Sequence, residues 1–477
     1  MNKHKKDKDF DEEERRLVHE FETSVLAGRD QFFDVDEMEI IIDYYSEVDD
    51  ILSFEAAVQY AERLYPDNTA VRLRRAHLLI AKQDYLHALD IVKELRRREP
   101  DNTDVAYSLG VAYSALGESR RAISHFLRAA EDGWQLGLIY TNIAEEYYRL
   151  RNYDEAIRYY QLALDTDSYE PDTLYFLVDA CVNAHREEEA QTYLKSFLDE
   201  HPYSAEGWHA MGRTYEYMGL YEKAVDAYEY AIAADKRLES AYFDMAATLE
   251  EMGNIAEAAS ALLRAIDIVT DKASVYSEVA AVYARANNID TSIIYYRKAL
   301  ESDPEHVPAL VGLATDYLLS DDPEQAYPLA KKATRLSPEN ADSLLVMAMV
   351  YDMKDNYEAA YDCYDRMLDC EDCSEPQCRQ FVIFLYQHKQ YEEMVDYVLD
   401  CLDIYPHHPF YSTYLAAAYF SLGELNYIAS LLPYVDTLML KEICPGLAAH
   451  PVLGQLLPPE DYTSDYARMW AKDNKDY

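Results

Sequence analysis

The chain has 477 residues and a formal net charge of −45, from 89 acidic against 44 basic side chains. A surface of this sign repels phosphate backbones and anionic lipids, so it argues against nucleic acid and membrane surfaces as partners; it serves solubility, favours basic protein segments, or does both. No apolar run follows the N-terminal lysines and no segment approaches eighteen uncharged apolar residues, so we expect a cytoplasmic protein.

Residues 1–34 are predicted to form a charged arm and one amphipathic helix that ends near Gly28. One face of this helix carries the apolar residues Leu17, Val18, Phe21 and Val25. This face can cover the end of the structure that follows, or it can dock onto another protein.

The pattern that dominates the chain is clearest between Ala205 and Leu238. Four residues at helical spacing share one face of a first helix, namely Trp208, Met211, Gly212 and Tyr215. Gly219 permits a tight turn, and a second helix then presents Ala224, Tyr228 and Ala231 on one face. The small residues are expected to let the two helices approach, and the aromatic residues to fill the space between them.

The same pattern recurs at a constant step and without a gap, in units that begin at 35, 69, 103, 137, 171, 205, 239, 273, 307, 341, 375 and 409. Tyrosine holds the eleventh place and alanine the twentieth place in eight of the twelve units, while proline ends the second helix of six units. Packing is expected to differ where the alanine place holds another residue, at Phe54, Ser292, Met394 and Ile428.

This arrangement of Trp, Leu-Gly, Tyr, Ala, Phe, Ala and Pro resembles the tetratricopeptide repeat. The resemblance implies an all-α, right-handed superhelical solenoid of about twelve helix-turn-helix repeats over residues 35–442, followed by a non-repeat cap or tail at 443–477. One elongated solenoid then replaces the two or three domains that the length would otherwise suggest. Neither terminal segment is long enough for a separate catalytic domain.

In tetratricopeptide proteins the second, fifth, ninth, twelfth and thirteenth places of a unit line the concave groove. Carried onto the third to seventh units, this implies a polar, tyrosine-rich surface that comprises Tyr107, Glu145, Tyr148, Arg149, Tyr175, Asp179, Asn183, His209, Arg213, Glu216, Tyr217, Phe243, Glu250 and Glu251. Tyrosine offers contact area and a hydrogen bond at low entropic cost, which suits the recognition of an extended peptide.

The later units carry an apolar stripe at the same places, formed by Val311, Leu318, Leu319, Leu345, Met349, Met353, Ile383, Tyr386 and Phe420. A stripe of this size is expected to be covered. A helix of a partner can lie there, because methionines adapt to different side chains. Alternatively the tail covers it, through the apolar residues Leu453, Leu456, Leu457, Tyr466, Met469 and Trp470.

The residues that could carry chemistry are few. The only cysteines with ligand-like spacing are Cys363, Cys370, Cys373 and Cys378, but no second Cys-x-x-Cys pair follows, so we predict reduced thiols and no metal site. His209 lacks any nucleophile, phosphate loop or metal constellation beside it, so recognition is favoured over general-base catalysis. The lysine and asparagine clamp with which tetratricopeptide co-chaperones hold acidic tails is absent from the fifth and ninth places.

The sequence therefore predicts a non-catalytic cytoplasmic adaptor or scaffold without a cofactor, which binds peptide or helical segments of other proteins in its groove. The alternative is a self-associating assembly protein whose copies join through their terminal segments. The concentration dependence of the mass and the proteins that co-purify would separate the two.

Overall fold

The computed structural model describes residues 12–26, 28–29, 31–48, 50–133, 135–166 and 171–458. Every regular element in these residues is helical, which confirms the predicted all-α fold. The chain divides into two compact units, Met1–Gly253 and Asn254–Tyr477.

The first unit is built from helix pairs that follow an N-terminal helix. Its helices are α1 (Glu12–Phe21), α2 (Val35–Glu47), α3 (Ile51–Leu64), α4 (Thr69–Ala81), α5 (Tyr85–Arg98), α6 (Thr103–Ala115), α7 (Ser119–Ala129), α8 (Leu136–Arg149), α9 (Tyr153–Leu164), α10 (Thr173–Asn183), α11 (Glu187–Glu200), α12 (Ala205–Tyr217), α13 (Tyr221–Ala234) and α14 (Glu239–Glu251). A π-helical turn at Glu22–Leu26 follows α1, and a 3-10 turn at Ala130–Asp132 follows α7. From α2 to α13, each even-numbered helix packs against the odd-numbered helix that follows it.

The second unit continues the same alternation and ends in short elements. Its helices are α15 (Ile255–Arg264), α16 (Lys272–Arg285), α17 (Ile289–Ser302), α18 (Val307–Leu319), α19 (Pro323–Leu336), α20 (Ala341–Met353), α21 (Tyr357–Leu368), α22 (Glu375–Gln387), α23 (Tyr391–Ile404), α24 (Pro409–Leu422), α25 (Thr437–Ile443) and α26 (Pro445–Ala448). Four 3-10 turns lie at Ala265–Asp267, Leu425–Tyr427, Leu432–Tyr434 and Leu453–Leu456. The pairs α16/α17 to α22/α23 pack in the same way as the pairs of the first unit.

The turn after the first helix adopts the same left-handed backbone conformation in each repeat from the second to the twelfth. Its φ lies between 56° and 79° at Gln83, Gly117, Arg151, His185, Gly219, Gly253, Asn287, Asp321, Asp355, Lys389 and Gly423. Glycine tolerates this conformation best, yet only four of these eleven residues are glycine. The period therefore persists in the backbone even where the side chain does not favour it.

Close helix packing at small residues is confirmed in the repeat from Ala205 to Leu238. A Cβ atom added to Gly212 would lie only 2.6 Å from Cδ1 of Tyr228, so α12 can approach α13 only because this residue has no side chain. Tyr228, Ala224 and Ala231 are fully buried in the same contact. The alanine of the twentieth place is fully buried in all eight repeats that carry it.

The twelfth repeat departs from the scheme of paired helices. Its first helix, α24, is present, but two 3-10 turns stand where a second helix would follow. Ile428 replaces the small alanine that close packing requires, and Pro433 removes a backbone donor from the next turn. Ile428 is instead buried in a C-terminal cap, a core that also contains Leu432, Val435, Leu440, Leu447 and Leu453.

Both described ends of the chain carry covering elements. At the N-terminal end, α1 buries Leu17, Val18 and Phe21 in one core with Phe33 and Met38. At the other end the C-terminal cap packs on α24, in which every residue from 409 to 418 is buried. A helix exposed at the end of a solenoid would leave its outer face in water, and these contacts prevent that.

Candidate partner-binding groove

An open groove of about 430 Å³ lies on the first helices of the second unit. Val311, Thr315 and Leu319 of α18 line it, and they hold the fifth, ninth and thirteenth places of their repeat. Ala281 and Ala284 of α16 line it from the preceding repeat at the ninth and twelfth places. The groove thus lies on the face that the family resemblance assigns to the concave surface.

The floor of this groove is formed where α17 meets α18. A Cβ atom on Gly312 would lie 2.6 Å from Cε1 of Tyr296, so the missing side chain lets the tyrosine ring reach beneath the groove. Burial raises the pKa of Tyr296 to about 12, so its hydroxyl stays protonated at neutral pH. The groove therefore combines apolar walls with a few buried polar groups.

The apolar stripe is divided between exposed, half-buried and fully buried residues. Leu319 is 65% exposed and Met353 is 40% exposed. Val311, Leu345, Met349 and Ile383 are half-buried and pack against the core beneath them. Leu318, by contrast, is only 6% exposed and belongs to that core. A partner could therefore reach Leu319 and Met353 without any change in the fold, whereas Leu318 packs within the core and does not line the groove.

The C-terminal end of the stripe is covered by the chain itself. The hydroxyl of Tyr386 donates a hydrogen bond to the carbonyl oxygen of Ile443 over 2.9 Å, and Phe420 packs in one cluster with Ile443 and Leu447. Leu453 is buried in the same cluster, whereas Leu456 is exposed. The predicted tail contacts of Tyr466, Met469 and Trp470 lie outside the described residues.

In the first unit, residues of the predicted polar surface form hydrogen bonds between the first helix of one repeat and the first helices of the neighbouring repeats. We call this series of hydrogen bonds the ladder. His209 of α12 lies 3.1 Å from the hydroxyl of Tyr175 on α10 and 2.8 Å from the carboxylate of Asp244 on α14. Arg213 of α12 likewise donates a hydrogen bond to Asp179 of α10 over 3.0 Å. His209 is only 3% exposed, so its role in this structure is to join three helices.

The remaining predicted residues of this surface are more accessible. Arg149 and Asn183 are exposed, and Asn183 donates a hydrogen bond to the hydroxyl of Tyr148 over 2.9 Å. Tyr217 is exposed, while Tyr107 and Phe243 are half-buried. Burial raises the pKa of Tyr107 and of Tyr175, so both hydroxyls remain neutral hydrogen-bonding groups.

Sequence reasoning missed the residues at the sixth place that complete this ladder. Asp244 pairs with His209, and Asn142 donates to the hydroxyl of Tyr107 over 3.2 Å. A signal for both was present, because complementary polar residues recur at the fifth place of one repeat and the sixth place of the next. Asp316, a buried acid beside the groove of the second unit, was also missed.

The cysteines do not form a metal site within the described residues. The sulfur atoms of Cys373 and Cys378 lie 3.9 Å apart, while Cys363 and Cys401 are buried. Burial raises the pKa of Cys373 to about 12, and those of Cys363 and Cys401 to about 11. These groups are therefore protonated thiols at neutral pH.

We expect Cys363 and Cys401 to react with iodoacetamide about a hundredfold more slowly in the folded chain than in the unfolded chain at neutral pH, because a rise of about two units in pKa lowers the thiolate fraction by that factor. Quenched alkylation followed by peptide mass spectrometry measures the rates, with the chain in urea as the control. Equal rates in the folded and urea-treated chains would contradict this environment.

None of the described helices is both long enough and apolar enough to cross a membrane.

Comparison with known proteins supports the repeat assignment. Tetratricopeptide repeat family models match residues 73–136, 138–169 and 209–274, and the family model of the cilia and flagella-associated protein 70 middle TPR-like domain matches residues 242–370. Human Superkiller complex protein 3 is 26% identical over 197 residues, which are 39% of this chain and 12% of that protein. Tetratricopeptide repeat protein 1 of Schizosaccharomyces pombe is 26% identical over 181 residues, 35% of this chain and 17% of that protein.

The chain thus matches less than a fifth of the length of each of these relatives. Among solved structures it is similar to yeast Tom70, at 13% identity with a TM-score of 0.44, covering 92% of this chain and 96% of that one. It is also similar to the APC/C hetero-tetramer Cut9-Hcn1, at 15% identity with a TM-score of 0.38, covering 86% of this chain and 96% of that one. With its helix pairs repeated at a constant step and these family matches, the chain belongs to the tetratricopeptide repeat proteins.

Proposed function

We propose that the protein is a non-catalytic scaffold that binds segments of other proteins in the groove on its first helices. The observation that carries this proposal is the groove beside α18, where Leu319 exposes an apolar side chain, together with Met353, which is exposed at the same place of the next repeat. Exposed apolar surface in a concave, preformed site is typical of binding surfaces.

The chemistry of the stripe favours an amphipathic segment as the occupant in the second unit. Met349 and Met353 are flexible and polarisable, so they can adapt to the side chains of a partner helix. In the first unit, the exposed Arg149, Asn183 and Tyr217 offer hydrogen bonds that suit an extended peptide. The net charge of −45 favours basic partners in both places.

The same proposal places the protein in the cytoplasm, without a cofactor and without nucleic acid or membrane surfaces as partners, because its charge opposes both. One relative is by its printed name a component of a complex, the Superkiller complex protein 3, which supports a role in protein assembly. Self-association through the terminal segments is the alternative. Its support is weaker because α1 buries Leu17, Val18 and Phe21 within the chain, and the C-terminal cap buries Leu440, Leu447 and Leu453.

The test compares a groove variant with a matched variant on a second helix. We expect the double substitution Leu319→Glu and Met353→Glu to reduce the recovery of partners from native cytoplasm by about tenfold or more, since a bound segment would bury both carboxylates. The control is Leu399→Glu with Ile404→Glu, which places the same charges on exposed residues of α23. Affinity purification with quantitative mass spectrometry measures recovery, and circular dichroism checks that both variants fold.

Recovery of the same partners by the groove variant and by the control would contradict the groove as the binding site. A molar mass that rises with concentration in light scattering, together with no partner that depends on Leu319 and Met353, would favour self-association instead.

A further inference from the structure

Asp316 of α18 is a buried acid that lines the groove. Its side chain is only 1% exposed, and Oδ2 makes no hydrogen bond within the described residues. A buried acceptor without a donor is destabilising, and more so when it is charged. A buried carboxylate without a cation beside it is costly, so its position beside an open groove points to a cation that arrives from outside the chain.

An earlier repeat shows how this fold compensates the charge of an acid at the same place. Glu146 holds the tenth place of its repeat, as Asp316 does five repeats later, and it is equally buried. Its Oε1 accepts hydrogen bonds from Nη1 of Arg149 over 2.7 Å and from the hydroxyl of Ser114 over 2.6 Å. Its Oε2, like Oδ2 of Asp316, makes no hydrogen bond within the described residues. A cation three residues later on the same helix therefore compensates this buried carboxylate.

Both partners are missing around Asp316. Leu319 holds the place that corresponds to Arg149, and Ala284 holds the place that corresponds to Ser114. Both of these residues line the groove. The space that a guanidinium and a hydroxyl would fill in the earlier repeat is thus bordered by apolar side chains and open to a ligand.

The groups around Asp316 do not supply a cation. Burial raises its pKa to about 6, and the hydroxyl of Ser292, which lies beside the carboxylate, offsets part of this rise. Tyr296 of α17 adds a neutral hydroxyl, and Asp342 of α20 adds a negative charge to the rim. Arg285 of α16 also lines the groove, but it donates to Glu278 on its own helix over 3.1 Å.

We infer that a basic side chain of a bound partner segment, lysine or arginine, enters this groove and pairs with Asp316. The inference rests on the proposed function and adds to it the chemistry of the anchoring residue. The apolar stem of a lysine or arginine would lie along Val311, Ala284 and Leu319, while its charged end reaches the carboxylate. The pairing supplies from another chain the cation that Arg149 supplies within this one.

A peptide selection tests the inference. A random-sequence dodecapeptide library is selected on the full chain, and the selected peptides are measured by calorimetry against wild type, Asp316→Asn and the control Asp290→Asn, which neutralises an exposed acid of α17. We expect peptides with lysine or arginine between apolar residues, and a loss of affinity of about tenfold or more in Asp316→Asn alone. Replacing the basic residue of each peptide with methionine should cause the same loss, and exchanging lysine for arginine shows which cation fits better.

The pH dependence gives a second readout. Because the pKa of Asp316 is about 6, the carboxylate is mostly protonated at about pH 5 and ionised at about pH 7.5. Affinity for the basic peptides should therefore rise about tenfold over that range in wild type, and it should stay constant in Asp316→Asn.

A substitution within the chain tests the same pairing without a ligand. Leu319→Arg restores the arrangement of Glu146 and Arg149, so we expect it to raise the unfolding temperature and to block the basic peptides. In the Asp316→Asn background the same substitution should not raise the unfolding temperature. Additive effects of the two substitutions would overturn the inferred pairing.

The outcomes separate this inference from the proposed function. Peptides that are lost in Leu319→Glu but lack a basic residue and ignore Asp316→Asn would overturn the inference and leave the groove as a binding site. A library that yields no peptide sensitive to Leu319→Glu would contradict both.

Discussion

Replacing Gly212 with valine is expected to destabilise the first unit by about 2–3 kcal/mol, one of the two largest effects that the structure predicts. Even the first added carbon would lie 2.6 Å from the ring of Tyr228, which is fully buried between α12 and α13 and has no free space to enter. The two helices would have to separate, and the buried Ala224 and Ala231 would lose their contacts. The midpoint of urea unfolding, followed by circular dichroism, measures the effect.

The matched control is Ala233→Val, which makes a comparable change at an exposed residue of α13. Its expected cost is only about 0.5 kcal/mol, because it changes helix propensity without changing packing. Equal shifts for the two variants would show that the close contact at Gly212 does not limit the approach of the helices.

Ending the chain at Glu442 is expected to destabilise the second unit by about 4 kcal/mol or more, because the deletion removes Ile443, Leu447 and Leu453 from the C-terminal cap. Each buried aliphatic side chain contributes about 1.5–3 kcal/mol. The deletion also exposes the rings of Tyr386 and Phe420. We expect a lower unfolding temperature and increased binding of a hydrophobic fluorescent dye.

A chain that ends at Pro458 is the control for this deletion, because it retains every contact of the C-terminal cap that the described residues make. If the two shortened chains were equally destabilised, the stabilising residues would lie beyond Pro458 and not in the cap. If neither were destabilised, the cap would contribute little to the second unit.

The architecture could be predicted from the sequence because each repeat places small and large residues in a fixed register. Gly212, Ala224 and Tyr228 were expected to meet, and they do. The left-handed turns could not be read in the same way. Arg151 and Lys389 adopt positive φ without any side-chain preference for it, so only the period of the surrounding helices reveals them.

The end of the solenoid shows where the period becomes insufficient. Residues 409–442 fit the constant step of the repeats, yet the second half of that repeat forms 3-10 turns and joins the C-terminal cap. Ile428 at the alanine place was the local signal for this change. A regular step in the sequence does not ensure a regular structure when the small residue at the helix contact is lost.

The groove could be assigned to a face but not to individual side chains. Leu318 and Leu319 are adjacent and both were expected on the stripe, but one is in the core and the other is exposed. His209 was expected to contact a partner, yet Tyr175 and Asp244 from the neighbouring repeats enclose it. Such burial depends on how consecutive repeats stack. The position of a residue within its own repeat does not contain this information.

Site-specific photocrosslinking would show whether partners lie on the first helices. A benzoylphenylalanine residue replaces Met353 on α20 in one chain and Leu399 on α23 in another, and both chains are irradiated in native cytoplasm. We expect covalent partner adducts at position 353 and none at position 399. An excess of unlabelled wild-type chain should reduce the adducts at position 353 by competition. Adducts at position 399 alone would contradict the groove as the binding surface.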